Sequence, residues 1–435
     1  MSAGIIIMNK TAIALAADSA VTVGNRSAIH NSANKLFALS KYAPVGAIIY
    51  ANASLMQIPV ELIIKEYRKG LGNASFSSLE EYGTDFLNYL EKKHALFRFE
   101  TNEKKYVLGL AYNLLSGMKN DYERHIKNKV DEVQRELTKT ELKEIQKTTI
   151  KETIDYVSKL DKLPNADFSR YVKDKYSNEL LKMMKDLFDW IGKQQSKDLL
   201  KHTCSIYNLD FFRNGYVGMA IAGYGTSEIF PQTNHYCIGG VINGKVRYRI
   251  INKYNITEDN YACVIPLAQI DVMQTFLFGI NDSLINEMAN EMAFQLDERM
   301  KTVSDDFFAT GKKQDLLATL SDATLKVAEN IANSAYKKYM RPILDSVGSL
   351  PIEELTSFAE SLISITSARR QVALDNNIGT VGGPIDVAVI SRGDGFIWLK
   401  RKHYFDVKDN VQYLINNYSS NSIGGFLNGE TKEDK

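Results

Sequence analysis

The chain opens on two short apolar runs with a polar break between them. Ser2 to Ile7 is followed by the turn-like pair Asn9-Lys10, and Thr11 to Ala17 then ends in Asp18. Uninterrupted apolar runs of this length, bounded by a turn, predict a hairpin of two strands buried on both faces. Such a hairpin returns Asp18 to the neighbourhood of Ser2. Beyond it come Asp18 to Gly24, then Asn34-Lys35-Leu36-Phe37, the segment Ala47 to Ser54, and a helix-like segment from Pro59 to Tyr67.

From Ser78 to about Leu200 the period turns helical. Ser78 and Glu81 form a capping-box pattern ahead of Phe86, Leu87 and Leu90. Val130 to Tyr156 alternates charges with Val133, Leu137, Leu142 and Ile145, which predicts an exposed amphipathic helical hairpin. The runs Val217 to Pro231 and Gly239 to Ile250 follow, and a second helical insertion is expected over about Met300 to Tyr339. The helix Pro351 to Val372 and the strand leading to Ile390 follow, and Ser419 to Lys435 reads as a polar tail.

Chemistry enters at the start of the chain. Met1 precedes a small residue and is expected to be trimmed, which gives Ser2 a free α-amine beside its own hydroxyl. That is a nucleophile and a base in one residue. An α-amino group titrates near about 7.7–8.0, whereas an ordinary lysine near about 10.4 stays charged.

In this order the segments resemble the proteasome β-subunit family, including the bacterial two-component protease subunits of the same fold. Ser2 falls on the family's N-terminal threonine, Ala16-Ala17-Asp18 on its aspartate motif, and Thr22 and Gly24 are in step. Lys35 reaches the lysine position after one inserted residue, with Asn34 as the ungapped occupant. The resemblance implies a four-layer αββα N-terminal-nucleophile (Ntn) hydrolase sandwich, of α+β class, with large helical insertions. It divides the chain into core at 1–77, helical insertion at 78–203, core at 204–299, a second insertion at 300–345, core at 346–418 and the tail at 419–435.

The implied site is Ser2, Asp18 and Lys35, with the nucleophile exposed by loss of Met1 and backbone N–H groups around Ile49 to Ala51 as oxyanion donors. The substrate class it implies is a protein or peptide; a homo-oligomer and a partner docked on the helical insertions go with it, and no cofactor or metal is called for. Three departures point the other way. Ile49 and Asn52 stand where the family has glycines, so bulk is expected to narrow the substrate groove, and the supporting Asp-x-x-Ser-Gly pattern is broken between Asp375 and Gly382, with Val381 in the serine's place. The alternative is a catalytically inactive proteasome-like scaffold that binds partners through its helices.

Composition narrows other classes. The 435 residues are 44% hydrophobic and 24% charged with net charge +1, a globular balance without global attraction to nucleic acid or a membrane surface. No apolar run approaches the ~18 residues of a membrane span, and no charged leader with a cleavage site is seen, so a cytoplasmic location is expected. Cys204, Cys237 and Cys263 have neither disulfide nor zinc spacing and are expected in the core. The six histidines are scattered without HExxH. Gly239 to Lys245 satisfies GxxxxGK, but Val246 replaces the magnesium-binding hydroxyl and Asn243-Gly244 reads as a hairpin turn. Lys400-Arg401-Lys402-His403 is expected to be a solvated charge run at the end of the last strand.

Overall fold

A computed structural model describes residues 3–23, 28–30, 33–93, 95–164, 167–213, 215–268, 270–302, 312–372, 382–403, 405 and 410. The first hairpin forms as its pattern requires: β1 (Ala3–Asn9) and β2 (Ala12–Ala17) are antiparallel, with Ile6 opposite Leu15. Asn9 makes the turn itself. Its side-chain oxygen accepts the N–H groups of Thr11 (3.0 Å) and Ala12 (3.1 Å), while its amide donates to the carbonyls of Val347 and Leu350.

The remaining strands are β3 (Val21–Val23), β4 (Ala28–His30), β5 (Leu36–Ala38), β6 (Val45–Ala51), β7 (Ser54–Leu55) and β8 (Ile58–Pro59), then β9 (Val217–Gly223), β10 (Gln232–Ile242), β11 (Lys245–Asn255), β12 (Ala262–Ala268), β13 (Asp386–Ser391) and β14 (Gly395–Lys400). Two five-stranded sheets carry the core, in the orders β12-β1-β2-β13-β14 and β11-β10-β9-β6-β5. Both are antiparallel throughout.

The helices are α1 (Val60–Leu71), α2 (Leu79–Lys92), α3 (Phe99–Val133), α4 (Lys139–Ser158), α5 (Ser169–Leu187), α6 (Lys193–Ser205), α7 (Ile270–Phe278), α8 (Asp282–Lys301), α9 (Lys312–Ala335), α10 (Arg341–Val347) and α11 (Ile352–Val372). Their packing gives four layers. Between the sheets, Ile6, Met8, Ile13 and Leu15 meet Leu36, Ile48, Ala220 and Ala222. The opposite faces of β1 and β2, through Ile5, Ile7, Ala14 and Ala16, meet Leu355, Ala359 and Leu362 of α11 and Met273 of α7. The outer face of the second sheet, through Ala47, Ile49, Met219 and Ile221, meets α1 and α2. Strands covered on both sides need apolar residues at every position, which is why they read as continuous runs without alternation.

Helices α3 to α6 build a core of their own around Val107, Leu114, Val172, Leu180 and Leu199. The charged segment read as a helical hairpin is the end of α3 and α4, and α4 opens on a Thr138–Glu141 capping box. Glu103 ties this unit to the sandwich. Its buried carboxylate accepts from the hydroxyls of Tyr171 (2.9 Å) and Tyr176 (2.6 Å), from Lys175 Nζ (2.9 Å) and from the Asn243 N–H (2.7 Å) in the β10–β11 turn. That turn has positive φ at Asn243 (51°) and Gly244 (71°), the geometry of a two-residue hairpin. A carboxylate already holds its amide, so the GxxxxGK match is a hairpin and no phosphate cradle.

Cys204 and Cys237 are buried, Cys263 is partly so, and all three are free thiols. Among the described residues no helix is long and apolar enough to cross a membrane.

Candidate functional site

The end of the sandwich where β1 begins collects buried charge. Asp18 follows directly on β2, and its carboxylate gathers four donors: Oδ1 accepts the Ala3 N–H (2.8 Å) and Lys35 Nζ (2.5 Å), while Oδ2 accepts the N–H groups of Ala20 (3.3 Å) and Gly382 (3.1 Å). The Asp18 N–H in turn donates to the Ala3 carbonyl (3.1 Å). One carboxylate thus joins the first strand, the second strand and the lead into β13.

Lys35 enters from the opposite sheet, on the residue before β5. Its ammonium also donates to the Ala20 carbonyl (2.5 Å), and the two side chains of the pair are 4% and 0% exposed. Burial holds the lysine below its ordinary range, against the opposing pull of the Asp18 charge and hydrogen bond; Lys402 lowers it further and Asp386 raises it. The neighbours Asn34 and Lys35 make different contacts. Asn34 turns to Glu61 Oε1 (3.0 Å), and Lys35 alone of the two meets Asp18.

A second ion pair stands close by, and the sequence reading missed it. Asp386 lies opposite Ala17 at the start of β13, is 3% exposed, and accepts the Lys402 N–H (2.9 Å) as well as its ammonium. Lys402 is therefore no member of a solvated charge run, in contrast to Lys400, which pairs with Glu360 at the surface. The available signal was a lone aspartate opening the apolar strand Asp386 to Ile390, a position where an unpaired charge would be costly.

Two expectations about β6 need correction. The Ile49 N–H donates to the Lys35 carbonyl (2.8 Å), so it is spent on the sheet and is no free oxyanion donor. Its side chain is packed between the second sheet and α1, so its bulk goes into the core. Asn52 holds the Tyr216 carbonyl (2.9 Å), a structural bond. Ser2, Gly24, Asp375 and Val381 lie outside the described residues; Thr22 is in β3, opposite Ile29 of β4.

No family model and no curated protein matches this chain. It is similar to solved structures of Anbu. These include a Gly-1 mutant from Hyphomicrobium sp. strain MC1 (10% identity, TM-score 0.28, 100% of both chains covered) and a helical assembly of the Anbu complex from Pseudomonas aeruginosa (9%, 0.31, 98% of this chain and 95% of that one). Anbu from Yersinia bercovieri, described as an ancestral beta-subunit, is 8% identical with TM-score 0.26 over 100% of both chains. Superpositions this loose equate no residue of this chain with one of theirs.

Among the described residues no group of three His, Cys, Asp or Glu side chains converges as a metal site. What the cluster offers is acid–base and electrostatic chemistry: a buried cation, fixed by a buried carboxylate that also accepts the Ala3 N–H.

Proposed function

We propose that this chain is a proteasome-like Ntn hydrolase that cleaves a peptide or amide bond through Ser2, freed by removal of Met1. The observation that carries the reading is the Ala3 N–H on Asp18 with Lys35 on the same carboxylate oxygen. Ser2 is bonded to Ala3, with successive Cα atoms about 3.8 Å apart, and the proposal sets its hydroxyl beside the buried ammonium.

In this reading the Ser2 α-amine takes the hydroxyl proton as Oγ bonds to the substrate carbonyl carbon. Lys35 favours the developing alkoxide by its charge, and Asp18 holds Lys35 in place. The proton then passes to the departing amine as the C–N bond breaks, leaving an ester on Ser2. Water adds to that ester, and the acid leaves with Ser2 restored. Protein or peptide substrates are part of the proposal, as is docking of further copies or of a partner protein on the helical insertions.

The rival is a non-catalytic scaffold, and the Ile49 N–H favours it, since a donor expected for the oxyanion is already taken. Intact mass before and after a β-lactone or peptide epoxyketone separates the two. Loss of Met1 and a single adduct on Ser2, absent in Lys35→Ala, supports the hydrolase. Retained Met1 sinks the mechanism, because the α-amine would not exist.

A further inference from the structure

A second cluster lies on the second sheet, beyond the residues that the mechanism uses. Tyr50 follows Ile49 on β6, and its ring lies against Gly218 of β9, where a Cβ would come within 2.1 Å of its Cζ. Its hydroxyl is hydrogen-bonded to His235 Nε2 on β10. Cys237 is opposite Gly218 on one side and Arg249 of β11 on the other, so Tyr50, Gly218, Cys237 and Arg249 form a row across the sheet.

That row ends in a cleft of about 270 Å³ lined by Asp210, Phe212, Arg213, Tyr216, Cys237 and Arg249, among others. Its walls are aromatic, and its charge is positive. Arg213 lies over the rings of Tyr156 (5.5 Å) and Phe211 (5.9 Å), and Arg249 is 5.9 Å from the Phe212 ring. Behind Phe212 stands Arg247, fully buried, whose hydrogen bonds go to the carbonyls of Ile206, Tyr207, Leu209 and Phe211 and to the Tyr106 hydroxyl. None of those partners carries a negative charge. Asp210 is the one carboxylate lining the cleft among the described residues, and it is paired with Arg249. Arg249 Nε is shielded from solvent and has no acceptor. Burial holds the His235 ring down to about 4, so it adds no charge at neutral pH, and it pushes the Cys237 thiol up to about 12, so no thiolate offsets the guanidinium groups.

We propose that this cleft binds a carboxylate carried next to an aromatic or apolar group. Arg249 and Arg213 supply the charge-assisted donors, and the rings cover the apolar body. Two sources share that chemistry: an acidic side chain of a peptide, or a free aryl acid. β11 is four strand spacings from β5, about 19 Å at about 4.8 Å each, a distance that about six residues of extended chain cover. On the function proposed above, a peptide of that length held at the Asp18–Lys35 end is long enough to span to the cleft.

The test reads binding without turnover, so it stands apart from the Ser2 chemistry. Acetyl-Ala-Phe-Glu-Ala-Ala-Ala-amide and its Phe-Gln analogue are titrated into the intact protein by calorimetry, in parallel with phenylacetate and phenylacetamide. Each acid is expected to bind at least about tenfold more tightly than its neutral analogue. Arg249→Gln should remove most of that ratio, and Arg213→Gln, at an exposed position, should reduce it about threefold without touching the fold. A peptide that binds more than about tenfold more tightly than phenylacetate assigns the peptide source, and equal affinities assign the free acid. Equal binding of acids and neutral analogues, no binding at millimolar concentration, or an unchanged ratio in Arg213→Gln overturns the proposal.

Discussion

Asp18 and Glu103 are both buried carboxylates with four donors apiece, yet they organise their surroundings differently. Asp18 takes three backbone N–H groups and one lysine whose side chain is only 4% exposed, so cation and anion are sealed together. Glu103 takes two tyrosine hydroxyls, one backbone N–H and Lys175, whose side chain is 47% exposed. Its cation is hydrated and its neutral donors do the joining. Glu103 is a rivet between α3, α5 and the β10–β11 turn. Asp18 holds a desolvated charge at the mouth of the first strand, a state that is hard to maintain and useful for chemistry.

Removing Lys35 should show this difference at its largest. Lys35→Ala leaves Asp18 buried without its cation, and a loss of about 3–5 kcal/mol is expected in urea unfolding, together with the loss of any adduct at Ser2. Stability unchanged to within about 0.5 kcal/mol would mean that the pair is less desolvated than its geometry implies.

Glu103→Ala should cost less, about 1–3 kcal/mol, because hydroxyl groups and a single amide lose their acceptor. Hydrogen exchange should speed up in α3 to α6 and leave β1 and β2 unchanged; uniform loss across both would show one cooperative unit. Burial raises the Glu103 carboxyl, but the bonds from Tyr176, the Asn243 N–H, Lys175 and Tyr171 outweigh it and hold it below the ordinary range. A depressed carboxyl stabilises above its unfolded value of about 4.3, so this contribution fades as pH falls below that point through the folded value.

A pH-dependent effect belongs to His235. Its ring is held down from 6.5 to about 4, so between those values the unfolded chain binds more protons than the folded one. Stability should therefore decline as pH drops through that window and level off below it, and His235→Phe should flatten the slope. Smallest of all, Arg135→Ala at the exposed capping box of α4 should leave the thermal midpoint unchanged, despite its two bonds to Glu141 (3.0 and 2.8 Å).

Much of this was legible locally. The apolar runs around Asn9, the Asn243-Gly244 turn and the helix Pro351 to Val372 stand where their patterns place them, because strand burial and turn chemistry act over a few residues. Asp18 and Lys35 were legible as a pair only through the order of segments around them. Whether Asn34 or Lys35 met Asp18 was not, since a single inserted residue in an irregular segment leaves no periodic trace. The Asp386–Lys402 pair was hidden for another reason: Lys402 sits in a basic run, and nothing on the chain marks which of its four residues turns inward.

By itself the sequence determined the segments: apolar runs that must be covered on both faces, helical stripes, and the turns between them. The tertiary structure decided which polar groups meet. Tyr50, His235 and Arg249 are strangers in sequence, brought onto one sheet by the strand order β11-β10-β9-β6-β5. Strand order brings together residues that no local period relates, and at the end of a sandwich such charges must find partners or pay the full cost of leaving water.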